Sequence, residues 1–84
     1  MTPIASTMMS ETPQGPVKRS VTIAGHRTSI SLEQEFWDAL NEMAVEKATS
    51  LAGLITIIDE TRGRTNLSSA LRVAVLKAIR EGKL

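Results

Sequence analysis

Arg27, Ser29 and Ser31 alternate with Thr28, Ile30 and Leu32 in the run R-T-S-I-S-L. Between them the first three donate and accept hydrogen bonds, and none is acidic. Such residues recognise a polar surface. They do not by themselves break a bond, and the rest of the chain offers catalysis little. There is one histidine, His26, and no cysteine, which leaves no thiolate nucleophile and no zinc site of the usual His/Cys kind. Glu42 and Glu46 lie four apart but have no histidine beside them. No serine has an evident base in sequence. Gly25 and Gly53 make no phosphate loop. The expectation is a non-enzyme that needs no cofactor and no metal.

Charge is sorted along the chain in a way the net value of +1 conceals. From Thr12 to Leu32 the charged residues are Lys18, Arg19 and Arg27, with no acid. From Glu33 to Glu60 there are seven acids and one base, Lys47. From Thr61 onward six basic residues face Glu81 alone. Segregation of this kind says more about an anionic partner than the sum does. No apolar run reaches the ~18 residues of a membrane span, and the N-terminus lacks the pattern of a signal peptide. A cytoplasmic protein that does not engage a membrane is expected.

Four elements must position the polar triplet. The alternation over Arg27–Leu32 has the period of two of a strand with one buried face. Ser20–Ile23 has similar character. Ala24-Gly25-His26 can turn between the two and give a hairpin within one chain, or Val21–Leu32 can run as one longer extended segment with a glycine irregularity. Both readings stay open at this level. Glu33–Lys47 reads as a helix on Phe36, Leu40, Met43, Ala44 and Lys47, with Trp37 beside the stripe. Its acids Glu33, Glu35 and Asp38 suit a positive N-terminal end. Ser50 is placed to cap a second helix, Leu51 to about Thr61, which Gly63 ends. Asn66 caps a third, Leu67 to about Glu81, with a stripe of Leu67, Ala70, Leu71, Ala74, Val75, Ala78 and Ile79, widened by Val73 and Leu76. Residues 1–17 hold all three prolines and no apolar period and read as a disordered tail. The core is expected over 18–62 and the additional helix over 63–84.

A lone strand leaves its backbone groups unpaired. The chain has 84 residues, two aromatic ones (Phe36 and Trp37) and no disulfide, so self-association is the remaining common way to enlarge its core. Two copies pairing Arg27–Leu32 in antiparallel fashion satisfy both needs. The predicted fold is therefore mainly α with one N-terminal strand. It is a homodimer, or a higher oligomer, joined by an intermolecular two-stranded ribbon. Ile30, Leu32, Phe36, Trp37, Leu40, Leu54 and Ile55 would form the dimer core. Arg27, Ser29 and Ser31 would appear twice on the outer face. A two-stranded ribbon fits the major groove of double-stranded DNA. Arginine can pair with guanine there, and serine with either kind of base edge. Free N–H groups at Ser50, Leu51 and Ala52 would hold phosphate, as would Lys18 and Arg19 on a basic arm. Arg62 and Arg64 either contact phosphate or balance Asp59 and Glu60.

From Arg27 through Ile55 the chain resembles, without a gap, the ribbon-helix-helix (MetJ/Arc) superfamily, nearest its CopG-like members. R-T-S-I-S-L stands where the ribbon does, L-E-Q-E-F-W-D-A-L-N-E-M-A where the first helix does, and A-T-S-L-A-G-L-I at the turn and second-helix start. H-R-T-S-I-S-L-E with F-W following is similar to a subgroup of short bacterial proteins of this kind. The turn usually carries a glycine; Ala48-Thr49 stands there instead. The resemblance implies a dimer that reads the major groove, acting as a transcriptional repressor or autoregulator. The alternative is an antitoxin or protein-interaction module on the same fold, using the third helix to hold a toxin.

Overall fold

A computed structural model describes residues 15–84, so most of the expected tail, residues 1–14, lies outside the described residues. Two strands come first, β1 (Val17–Ile23) and β2 (His26–Leu32). Three helices follow: α1 (Gln34–Glu46), α2 (Leu51–Thr61) and α3 (Leu67–Arg80). The strands form one antiparallel hairpin within the chain. The ribbon expected between two copies is thus built by one copy, and the intramolecular alternative is the one realised. The reason is local. Ala24 and Gly25 both have positive φ (51° and 82°), the requirement of the two-residue type I′ turn whose twist matches that of paired strands. β1 also begins at Val17, inside the stretch read as tail.

The hairpin lies on the three helices with one face inward. Val21, Ile23, Ile30 and Leu32 are buried there, and beneath them lie Trp37, Leu40, Leu54, Ile55, Leu71 and Val75. Six of the seven residues expected at a dimer core are therefore buried within a single chain, and the seventh, Phe36, is half-buried. β1 and α3 supply the cover that a second copy was expected to give. Trp37 is the centre of this core rather than its flank, at 0% exposure. Its indole Nε1 donates to the carbonyl of Val17 at 2.9 Å, so the one polar atom of the ring is satisfied where β1 starts. Lys47, counted in the apolar stripe of the first helix, is exposed, as is Ile79 in that of the third.

The helix ends follow the sequence signals closely. Ser50 Oγ accepts from the Gly53 N–H at 2.9 Å, and Asn66 Oδ1 from the Ser69 N–H at 3.2 Å. α3 ends in a pair of backbone bonds, Gly82 N–H to Ile79 and Lys83 N–H to Ala78, with Gly82 left-handed. α1 ends in the same way, Ala48 N–H to Val45 and Thr49 N–H to Ala44. Here the left-handed residue is an alanine, at φ 55°. A β-carbon in that region costs roughly 1–2 kcal/mol.

One ion pair joins α3 to the junction of β2 and α1. Arg72 donates from Nε and from a terminal nitrogen to Glu33 Oε1, at 3.1 and 3.0 Å, and its guanidinium lies 5.7 Å from the Phe36 ring centre. The hydrogen bond from its own backbone, and then those from Arg72, hold the Glu33 carboxyl below the usual carboxylate range.

Two outcomes follow from these contacts. Ala48→Gly should stabilise the fold by about 1 kcal/mol, since relief of the left-handed strain exceeds the added entropy of the unfolded chain. Thermal melting should then shift upward by about 4–8 °C; an unchanged or lower midpoint would contradict the assigned strain. Glu33 has a folded pKa lowered below its unfolded one, so its contribution is complete above the unfolded value and is lost as pH falls through the folded one. The melting gap between wild type and Glu33→Gln should accordingly be present near neutral pH and close in acid. A gap that stays constant down to about pH 2 would show that the ionised carboxylate is not responsible.

Candidate nucleic-acid interface

The register of the hairpin decides which side chains share its outer face. Lys18 stands opposite Ser31, Ser20 opposite Ser29, and Thr22 opposite Arg27. Residues opposite one another point to the same side of a sheet. The outer face is thus three rungs of two: Lys18, Ser20 and Thr22 from β1, with Arg27, Ser29 and Ser31 from β2. Five of the six are exposed and Ser31 is partly so. A two-residue turn closes on a hydrogen-bonded pair, here Ile23 and His26, so the three rungs fall on the pairs without mutual backbone bonds. In those pairs the Cα atoms come to about 4.5 Å and the side chains lie closest. The face is compact, carries two cations, and holds no acid.

The expected base-contacting residues Arg27, Ser29 and Ser31 are therefore brought together on one exposed surface. Lys18 joins them. Arg19 does not: it lies on the helix side, where its guanidinium sits 5.5 Å from the Trp37 ring centre and donates to Gln34 Oε1 at 3.3 Å. The two basic residues expected on one arm belong instead to opposite faces of a strand. Sequence reasoning misses Ser20 and Thr22 as site residues. Their alternation with Val21 and Ile23 is visible, but only a fixed register assigns them to the same face as Arg27.

Ser50, Leu51 and Ala52 stand at the start of α2 as expected, with the Ser50 hydroxyl already bonded to the Gly53 N–H. The end of α2 nearest the hairpin tip is the other one. Asp59 and Arg62 share a cleft with Ile23, His26 and Thr28. Eleven residues of helix, about 16 Å at 1.5 Å each, separate that end from Ser50.

Along α1 the exposed residues Glu35, Asp38, Glu42 and Glu46 recur at helical spacing and face away from the core. Four acids thus share one helix surface, whereas the outer face of the ribbon has none. Among the described residues no group of three metal-ligating side chains comes together, and no helix is long and apolar enough to cross a membrane.

Residues 16–79 match the ribbon-helix-helix domain family, whose members are generally DNA-binding. Among solved structures, the chain is similar to an uncharacterized protein from Bordetella pertussis Tohama I, at 30% sequence identity and a TM-score of 0.69. The likeness covers 100% of this chain and 75% of that one. No curated protein matches. With the two-stranded ribbon, the helices beneath it and a match over most of its length, the chain belongs to the ribbon-helix-helix domain family.

Proposed function

We propose that this protein binds double-stranded DNA in a sequence-specific way by seating its hairpin in the major groove. In this reading it acts as a cytoplasmic transcriptional repressor or autoregulator. The observation that carries the reading is the outer face of the hairpin, six hydrogen-bonding side chains in register with no acid among them. Two strands about 4.8 Å apart are narrow enough for a groove about 12 Å wide. Arg27 presents two parallel donors to guanine O6 and N7. Ser29 and Ser31 donate or accept at neighbouring base edges, and Ser20 and Thr22 widen the read surface. Lys18 meets a phosphate at the groove wall, and Ser50, Leu51 and Ala52 hold another through free N–H groups.

The functional unit we propose is a homodimer. Members of the family typically dimerise, and α3 keeps an apolar surface for the purpose. Val73, Leu76 and Ile79 are 46%, 51% and 55% exposed, which is unusual for three large apolar residues within seven positions of one helix. Two copies joined there would carry two complete ribbons, one from each chain. The same stripe favours the second reading, a protein-interaction module whose partner is a toxin, and the oligomeric state separates the two.

Selection of bound duplexes from a random pool should yield a defined sequence, and affinity for it should fall steeply with salt. Arg27→Ala should weaken specific binding by about 1–3 kcal/mol while leaving the melting curve unchanged. Equal retention of every duplex, with or without Arg27, would refute groove reading. In sedimentation equilibrium the wild type should be a dimer and Leu76→Glu a folded monomer. A wild type that is already monomeric would remove the dimer and leave the stripe to a different protein.

A further inference from the structure

The linker between α2 and α3 lies against the hairpin. Arg62, Asn66 and Leu67 line the cleft under the hairpin tip together with Ile23, His26 and Thr28. A little further on, Ser68 Oγ donates to the carbonyl of Ser31 at 3.4 Å. The linker and the first turn of α3 thus run along the β2 side of the ribbon, from its tip toward its base. The linker is held in shape by Arg62, whose Nε donates to Asp59 Oδ1 at 2.6 Å and whose terminal nitrogen donates to the carbonyl of Thr65 at 2.7 Å. Two of the three guanidinium nitrogens of Arg62 are engaged in that task, and Asp59 is paired by it.

Arg64 is not engaged. It is exposed, sits in sequence between two residues that line the cleft, and among the described residues makes no ion pair and no side-chain hydrogen bond. The bond to Glu60 that would make it an ordinary surface partner is absent. Among the described residues it is thus an unpaired cation, on a linker whose Arg62 and Asn66 line the cleft beside His26 and Thr28 of β2, the strand that exposes His26 and Arg27.

We propose that Arg64 is a phosphate-binding residue. It grips the DNA backbone that borders the groove on the β2 side, when the hairpin occupies that groove. The inference rests on the groove reading above and extends it to a second element, the α2–α3 linker. A guanidinium suits this ligand because it presents paired donors to two phosphate oxygens and stays charged throughout the working pH range. The contact is to backbone, so it adds affinity and fixes register without reading sequence.

The test is a salt series on the full chain with two duplexes, one recovered by selection and one of unrelated sequence, for wild type, Arg64→Ala, Arg64→Lys and Arg27→Ala. Thermal melting of each variant checks that the fold is kept. Arg64→Ala should weaken binding to both duplexes by the same factor and lower the slope of log affinity against log salt by about 1. Arg64→Lys should keep most of that slope, because the charge is retained. An unchanged slope for Arg64→Ala, with Arg27→Ala still losing preference for the selected duplex, overturns the linker contact and leaves the groove reading standing. A loss confined to the selected duplex also overturns it, since that is the behaviour of a base contact. Failure of the wild type to bind either duplex overturns both.

Discussion

The pairing of β1 with β2 in a single register is the constraint on which the rest of this molecule depends. Side chains alternate across a strand, so a slip of one residue would send Ile30 and Leu32 into water and bury Arg27 and Ser29. Two features hold the register. The Ala24-Gly25 turn admits only a two-residue connection of one hand. At the far end, Trp37 donates to the carbonyl of Val17, so a displaced β1 would leave an indole N–H buried without a partner. Such a group costs about 1–3 kcal/mol. Turn and tryptophan pin the hairpin at both ends, and the polar face between them needs no further support.

That register also explains how one short chain closes a core. A strand–helix–helix unit lacks a partner for its strand and a cover for its helices. Here the N-terminal strand supplies the first and the C-terminal helix the second. Leu71, Val75 and Ala78 of α3 and Val21 and Ile23 of β1 account for five of the thirteen buried apolar residues among the described residues. Neither element lies in the Arg27–Ile55 pattern read from the sequence, yet residues 16–79, which match the family, take in β1 and nearly all of α3. Ile30, Leu32, Trp37 and Leu40 are then enclosed without a second copy. The dimer proposed above is thereby free to use a different surface, the outward stripe of α3.

What is legible in the sequence depends on whether the governing interaction is local. Helix limits are accurate to about a residue because Ser50, Asn66, Gly63 and Gly82 act on their own neighbours. The two-sidedness of Arg27–Leu32 is legible for the same reason: period two is a property of six consecutive residues. The strand partner is not, because Ser20–Ile23 has the composition to pair within the chain or to stay apart from it. An alanine in the first turn position, where asparagine or glycine is the usual signal, conceals the hairpin. The stripe read for α1 holds at Leu40, Met43 and Ala44 and differs at its edges, where Trp37 rather than Phe36 is fully buried and Lys47 is exposed. Phe36 and Trp37 are both apolar, and only contact with β1 decides that Trp37 faces inward. The place of Arg19 is equally hidden, because its direction follows from a register that the sequence does not display.

The distribution of charge completes the physical picture. With a net charge near zero the molecule has little long-range attraction for a polyanion, and at physiological salt such attraction fades within about 8 Å in any case. What matters is the field close to each surface. The acids of α1 are spaced one turn apart and face away from the core, whereas the ribbon has Lys18 and Arg27 and no acid. Glu33, the acid nearest the ribbon in sequence, is paired with Arg72 on the helix side. An approaching phosphate backbone would therefore be repelled by the α1 surface and attracted at the ribbon and its flank. In the proposed complex, orientation would be favoured before any base edge is touched, and the small net charge would keep non-specific affinity low. Discrimination in that complex would fall to the short-range hydrogen bonds of the three rungs, whose geometry depends on the register that the turn and Trp37 maintain.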